Sequence, residues 1–317
     1  MGFRIVGICA AFAVFVTITL AQNDTDAVVT EATPIISTCR EEFKNQTPTH
    51  TMCLEDSEKV LNFGVSEEDK RVIVEYHNKI RREVEPPAID LSALVWDDNL
   101  AEVAQKLAMQ CRMYHDKNRK IPGYGKSFGQ NLAAGQPTWT RAMGAWFREA
   151  QFFKYGENPK EYLGPGGWKK IGHYTHMITN RLYRVGCGFA NCRDVRYNRF
   201  YVCNYVRGQT NFRRPYNNGT DRCSSCPDSC NNGLCDCGGK FCMNGGTLNI
   251  NTCTCKCQRH YKEEDCSRLE CPEKDRRSCG TSWPESYCKR YSNVPYDCPY
   301  MCGSCPVTSA AGSEVSS

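Results

Sequence analysis

Sixteen cysteines crowd into the 83 residues from Cys223 to Cys305, whereas only seven lie in the 222 residues before them. No single hydrophobic core needs that distribution. It describes an ordinary globular domain followed by small modules that are too short to bury a stabilising core and are held by cross-links instead. A length of 317 residues with 40% hydrophobic residues is consistent with more than one domain.

Cross-links require an oxidising compartment, and residues 1–21 read as the signal that leads there. Arg4 supplies the basic end, Ile5 to Leu20 the apolar run, and Thr19-Leu20-Ala21 the small residues of a cleavage site. The run is short for a membrane span and the tail from Val307 to Ser317 is polar, so an integral membrane protein is not expected. Removing the segment removes Cys9 and Arg4. Twenty-two cysteines remain, an even number, and the formal charge falls from +5 to 39 − 35 = +4. That is too small to argue for nucleic acid. A local basic stretch (Arg196, Arg199, Arg207, Arg213, Arg214 and Arg222) reads first as a solvated loop surface, and second as a contact for sulfated glycans or anionic lipid. Sequons at Asn23, Asn45 and Asn218 fall in stretches read as loops, where a glycan costs no packing.

Along the chain, residues 22–56 read as a polar, flexible leader closed by a Cys39–Cys53 bond. Residues 57–215 carry the globular patterns. Ser66-Glu67-Glu68-Asp69 resembles a capping box, Val72, Tyr76, Ile80 and Val84 recur every four residues, and Pro86-Pro87 stops that helix. A second helix begins near Asp97-Asp98, with Leu100, Val103, Ala104, Leu107, Ala108 and Cys111 in one stripe. A third begins near Thr138 and aligns Trp139, Met143, Trp146, Ala150 and Phe153. His173–Ile178, Val185–Phe189 and Phe200–Tyr205 read as short strands. Helices first and strands later leave two architectures open, α+β or a layered α/β/α sandwich. Beyond Cys223 the cysteine spacings replace periodicity.

Five segments together resemble the CAP superfamily of cysteine-rich secretory, antigen 5 and pathogenesis-related proteins. They are His77-Asn78-Lys79-Ile80-Arg81, Trp96-Asp97-Asp98-Asn99-Leu100-Ala101, Gly172-His173-Tyr174-Thr175, Val185-Gly186-Cys187-Gly188 and Phe200-Tyr201-Val202-Cys203-Asn204-Tyr205. The resemblance covers about residues 60–212. It implies a three-layer α-β-α sandwich (α/β class) with small disulfide-rich modules after it, and bonds Cys111–Cys187 and Cys192–Cys203. Cys223, Cys226, Cys230 and Cys235 then look like the hinge of such proteins, giving a module over 216–236. Cys237, Cys242, Cys253, Cys255, Cys257 and Cys266 look EGF-like, over 237–268. Cys271, Cys279, Cys288, Cys298, Cys302 and Cys305 match the spacing of a ShK-toxin-type module over 269–305, with a flexible tail at 306–317. This parsing uses all twenty-two cysteines. The CxC and CxxC spacings also occur in zinc sites, but an oxidising compartment with only His260 nearby favours disulfides.

There is no HExxH helix, GxSxG elbow, P-loop or dinucleotide glycine pair. What the resemblance offers is a cleft of two histidines and two acids, which falls here on His115, His173, Glu149 and Gln130. Gln130 stands where the family has glutamate, and an amide cannot act as a general base. Two imidazoles can hold Zn²⁺ weakly in an open site, with Glu149 orienting its water; the other reading is a hydrogen-bonded cleft without metal. His176, three residues past His173 in the expected strand, would point to the opposite face. In the ShK-like module, the positions of the channel-blocking Lys-Tyr pair hold Asn293 and Val294, with Lys289 and Tyr291 out of register. The EGF-like module lacks the acidic lead-in of calcium-binding examples. The expectation is a secreted, non-enzymatic protein that binds an extracellular protein, lipid or sterol. Competing readings are a metal-dependent hydrolase, a sterol or lipid carrier, and an ion-channel modulator.

Overall fold

In the computed structural model, which describes residues 39–125, 129–206 and 211–306, side-chain caps set where the main helices begin. A single turn at Glu41–Lys44 (α1) precedes the strand Val60–Phe63 (β1) and the helix Glu67–Arg82 (α2). The Ser66 hydroxyl accepts the Asp69 N–H at 3.1 Å, as its sequence position predicts. After the short strand Val95–Trp96 (β2), Asp97 accepts the Leu100 N–H at 2.9 Å and starts Asp98–Ala108 (α3). Gly129–Ala134 (β3) follows, and Thr138 caps Trp139–Phe147 (α4). Pro159–Leu163 (α5) and Gly172–Met177 (α6) lead into the long strands Arg184–Cys192 (β4) and Arg199–Val206 (β5).

The strands form one sheet in the order β1-β4-β5-β3, antiparallel throughout, with β2 added parallel to β4. Ile73, Ile80, Met143, Trp146, Met177, Val185 and Tyr205 fill the layer between the sheet and α2, α4 and α6. Ala104, Leu107, Ala108, Ala190 and Val202 fill the layer between the other face and α3. The result is the three-layer α-β-α sandwich. The Val-Gly-Cys-Gly motif has a steric reason. A Cβ on Gly186 would lie 2.3 Å from the Asp97 carbonyl oxygen, and one on Gly188 would lie 2.2 Å from Gln105 Cα, so α3 rests directly on β4.

Helix α2 turns differently from its apolar spacing. Val72 and Tyr76 sit at the edge of the core, while Ile73, His77, Ile80, Arg81 and Val84 are buried. Arg81 has no carboxylate partner among the described residues; its guanidinium donates to the carbonyls of Ser92, Met177, Thr179 and Leu182. Asn78 exchanges two bonds with the Leu94 backbone at 2.9 and 2.8 Å. The polar residues of this segment are therefore brackets that fix α2 to two distant loops.

Three expectations are corrected. His173–Ile178 is not a strand, because residues 172–177 form α6. The two N–H groups that open it are satisfied by Glu149, 24 and 25 positions away, a partner that local propensity does not register. The bonds of the sandwich are Cys187–Cys203 and Cys111–Cys192. Cys187 and Cys203 face each other across β4 and β5 with Cα atoms 4.1 Å apart, in the layer of α2, α4 and α6. Cys111 and Cys192 lie in the α3 layer, so the expected pairs would have had to pass through the sheet. Finally, residues 39–56 are no flexible leader. The Cys39–Cys53 bond is present, but Phe43 and Met52 are buried against Leu100, Val103 and Ile121, and His50 is fully covered. The signal segment, Asn23, Arg207 and the tail beyond residue 306 lie outside the described residues.

The C-terminal cysteines pair only within their own groups: Cys223–Cys230 and Cys226–Cys235; Cys237–Cys253, Cys242–Cys255 and Cys257–Cys266; Cys271–Cys305, Cys279–Cys298 and Cys288–Cys302. The first group is joined to the sandwich. Cys235 bonds through its backbone to Leu91 and Ala93, both at 2.9 Å, and Leu234 lies in the main core. Phe241 packs on Tyr124 and under the Arg184 guanidinium, which also donates to the Gly239 carbonyl at 2.6 Å.

Candidate functional site

The cleft is assembled from the loop after α3, from β3, from the turn Arg148–Phe152 that continues α4, and from α6. Hydrogen bonds decide which atoms it presents. Asn204 on β5 donates through Nδ2 to the Leu100 carbonyl, so its Oδ1 faces Gln130 and accepts Nε2–H at 2.9 Å. That fixes the buried Gln130 amide with Oε1 toward the loop, where it accepts the Asp116 N–H at 2.9 Å and the His115 Nδ1–H at 3.0 Å. The ring of His115 is thus held with Nε2 as its free lone pair. Burial pushes its pKa below the usual histidine value; the Gln130 bond opposes this, and positive Arg119 and neighbouring His173 add to it.

His173 is oriented in the same sense from the opposite wall. Its Nδ1–H donates to Glu149 Oε1 at 2.6 Å, while Glu149 Oε2 accepts the backbone N–H groups of His173 and Tyr174 at 2.7 and 3.1 Å. The ring stacks over Trp146, whose indole N–H is bonded to the Leu132 carbonyl, and Asn131 donates to the His173 carbonyl at 3.0 Å. The four residues singled out from sequence are therefore two donor pairs, His115–Gln130 and His173–Glu149, each leaving one Nε2 unengaged.

His176 joins this cleft, contrary to its expected placement. On a helix, positions i and i+3 share a face. Its ring lies parallel to Tyr205 with centroids 6.3 Å apart, in space that Gly129 leaves open: a Cβ there would be 3.0 Å from the ring. Burial, and then His173, Arg119 and His115, push its pKa down to about 3, so it is neutral. Beneath it, fully buried His77 donates from Nδ1 to the Ile73 carbonyl at 2.7 Å and bonds through Nε2 to the Tyr205 hydroxyl at 2.9 Å; burial takes its pKa to about 4. An i, i+3 reading of residues 173–176 would have found His176. Asn204, which sets the Gln130 amide, has no local signal.

The arrangement suits a transition metal only partly. Both Nδ1 atoms are held by oxygen acceptors, as metal-ligating imidazoles usually are. Two nitrogens make half a zinc shell, however. Among the described residues the one group of three potential ligand atoms within 4.8 Å of each other is Cys242, Cys255 and Cys266, and all three sulfurs are in disulfides.

Residues 74–205 match the sequence pattern of CAP, the cysteine-rich secretory protein family. The chain is 38% identical over 283 residues to cysteine-rich venom protein Mr30 of Conus marmoreus, covering 84% of this chain and 91% of that protein. It is 35% identical over 211 residues to human cysteine-rich secretory protein 3 (Homo sapiens), covering 64% and 82%. Among solved structures, Schistosoma mansoni venom allergen-like protein 4 aligns at 32% identity with a TM-score of 0.40, covering 49% of this chain and 97% of that one. The fold and cleft define a CAP sandwich carrying a disulfide-rich extension. The chain belongs to the cysteine-rich secretory protein family. No helix among the described residues is long and apolar enough to cross a membrane.

Proposed function

We propose that this is a secreted, non-enzymatic extracellular binding protein whose cleft takes a divalent transition metal such as Zn²⁺ weakly, through Nε2 of His115 and His173. The observation that carries the reading is the pair of spent Nδ1 atoms, which leave Nε2 of His115 and His173 as the unengaged ring nitrogens. A bound metal would supply Lewis acidity and an anchor for an acidic or carbonyl group of a partner. The hydrolase alternative is disfavoured because neither Gln130 nor Glu149 offers a free carboxylate as base. Gln130 is an amide, and both oxygens of Glu149 are taken up by three N–H donors. The remaining extension is read as a hinge, an EGF-like module and a ShK-type module, which the self-contained disulfide groups support. Val294 is buried, which speaks against channel block through that position. Asn45 and Asn218, both exposed, are the glycosylation positions of this reading.

Calorimetric titration of Zn²⁺ into the oxidised protein tests it. Saturable binding that disappears in both His115→Ala and His173→Ala is the expected result. Absence of binding, or binding indifferent to both substitutions, would remove the metal from the proposal.

A further inference from the structure

Two segments with the same order of side chains meet on the surface. Trp168-Lys169-Lys170 ends the turn after α5, and Phe212-Arg213-Arg214 follows β5 at a distance of 44 residues in sequence. The Trp168 and Phe212 rings touch, with centroids 5.6 Å apart. Trp168 remains 48% exposed, the highest exposure of any aromatic residue among the large exposed hydrophobics. All four cations are exposed. None has an acidic partner among the described residues, unlike Lys154 and Arg222, which pair with Glu157 and Glu85. The arrangement is held in place: Asn211 Oδ1 accepts the N–H groups of Arg213 and Arg214 at 2.9 and 3.0 Å, and the Arg213 guanidinium bonds the Gly156 carbonyl at 3.2 Å. Of the basic stretch visible in sequence, Arg222 is paired elsewhere, with Glu85. Arg213 and Arg214 of that stretch enter the patch, joined by two lysines that the sequence keeps far apart.

We infer that this doubled aromatic-cation-cation surface docks on an anionic phospholipid bilayer. Unpaired cations supply attraction to anionic headgroups, and an exposed indole resting beside them is the side chain that partitions to the headgroup boundary. A sulfated glycan would use the cations but gives no reason for an exposed tryptophan packed on a phenylalanine. The test is co-sedimentation of the full oxidised protein with phosphatidylcholine vesicles containing or lacking phosphatidylserine. Binding is expected only with phosphatidylserine and is expected to fall steeply at high salt. Lys169→Glu with Lys170→Glu should lower partitioning at least about 30-fold, the value for losing two surface cations. Trp168→Ala should weaken it further at unchanged salt dependence. Binding equal in the variants and the wild type overturns the inference. So does retention on heparin by the wild type without any vesicle binding, which reassigns the cations to glycans.

Discussion

Glu149 binds His173 twice over, accepting its ring N–H at 2.6 Å and its backbone N–H at 2.7 Å, so one carboxylate both orients the imidazole and starts the helix that carries it. Removing that carboxylate has two separable effects. Glu149→Ala should destabilise the fold by about 1–3 kcal/mol, because two N–H groups at a partly buried helix start lose their acceptor. Glu149→Gln should retain most of the stability yet weaken any metal binding about 10- to 100-fold. Denaturant unfolding and calorimetric titration, run on both variants, check the two parts.

Gln130→Glu, which restores the acid found in relatives, is expected to fold. The buried network can absorb it if Asn204 turns its amide over, at the cost of a long 3.4 Å bond to the Leu100 carbonyl. The new carboxylate beside Nδ1 should raise the His115 pKa from its depressed value. NMR titration of the imidazole reads this directly; an unmoved or lowered value would contradict the hydrogen-bond order assigned to the network.

Acid should unfold the protein through its neutral histidines. His77 and His176 have pKa values near 4 and 3 in the fold, against about 6.5 for free histidine. The unfolded chain therefore binds more protons below about pH 6.5, so stability is complete above that value and is lost as pH falls toward 4 and below. The slope is about 1.4 kcal/mol per pH unit for each histidine. Thermal melts between pH 7 and 4 should show a shallower decline in His176→Gln than in the wild type.

The extension should divide unequally. Ending the chain before Cys271 removes a module whose described contacts run to residues 245–261, through Tyr261 with Tyr296 and Arg259 with Asp297. It should leave the melting of the sandwich nearly unchanged. Ending it at residue 215 takes Leu234 from the core and strips the backbone partners from Leu91 and Ala93. Leu234→Ala alone should cost about 2–5 kcal/mol.

The residues explain how much of this was legible beforehand. Caps at Ser66, Asp97 and Thr138 are local chemistry and could be read in advance, as could the even cysteine count. The family resemblance pointed to four residues that the fold brings into two hydrogen-bonded pairs, but how each is held is decided by partners far away in sequence. Asn204 sets the amide of Gln130 from 74 residues off, and Glu149 caps as α6 a segment that reads locally as a strand. The disulfide pairing failed for the same reason. Cys187 and Cys192 look equivalent in sequence, and only the pleat separates them onto opposite faces of the sheet.

The backbone bonds from Cys235 to Leu91 and Ala93 join positions more than 140 residues apart. During synthesis, the edge at residues 91–93 therefore waits for its partner until the chain has emerged past residue 235, long after every strand of the sheet is available. The sandwich cannot complete its pairing as an independent N-terminal folding unit, and its last step coincides with closure of the first C-terminal disulfides. A chain cross-linked wrongly at Cys226 or Cys235 would therefore present an unfinished sandwich edge as well as a faulty first cysteine group.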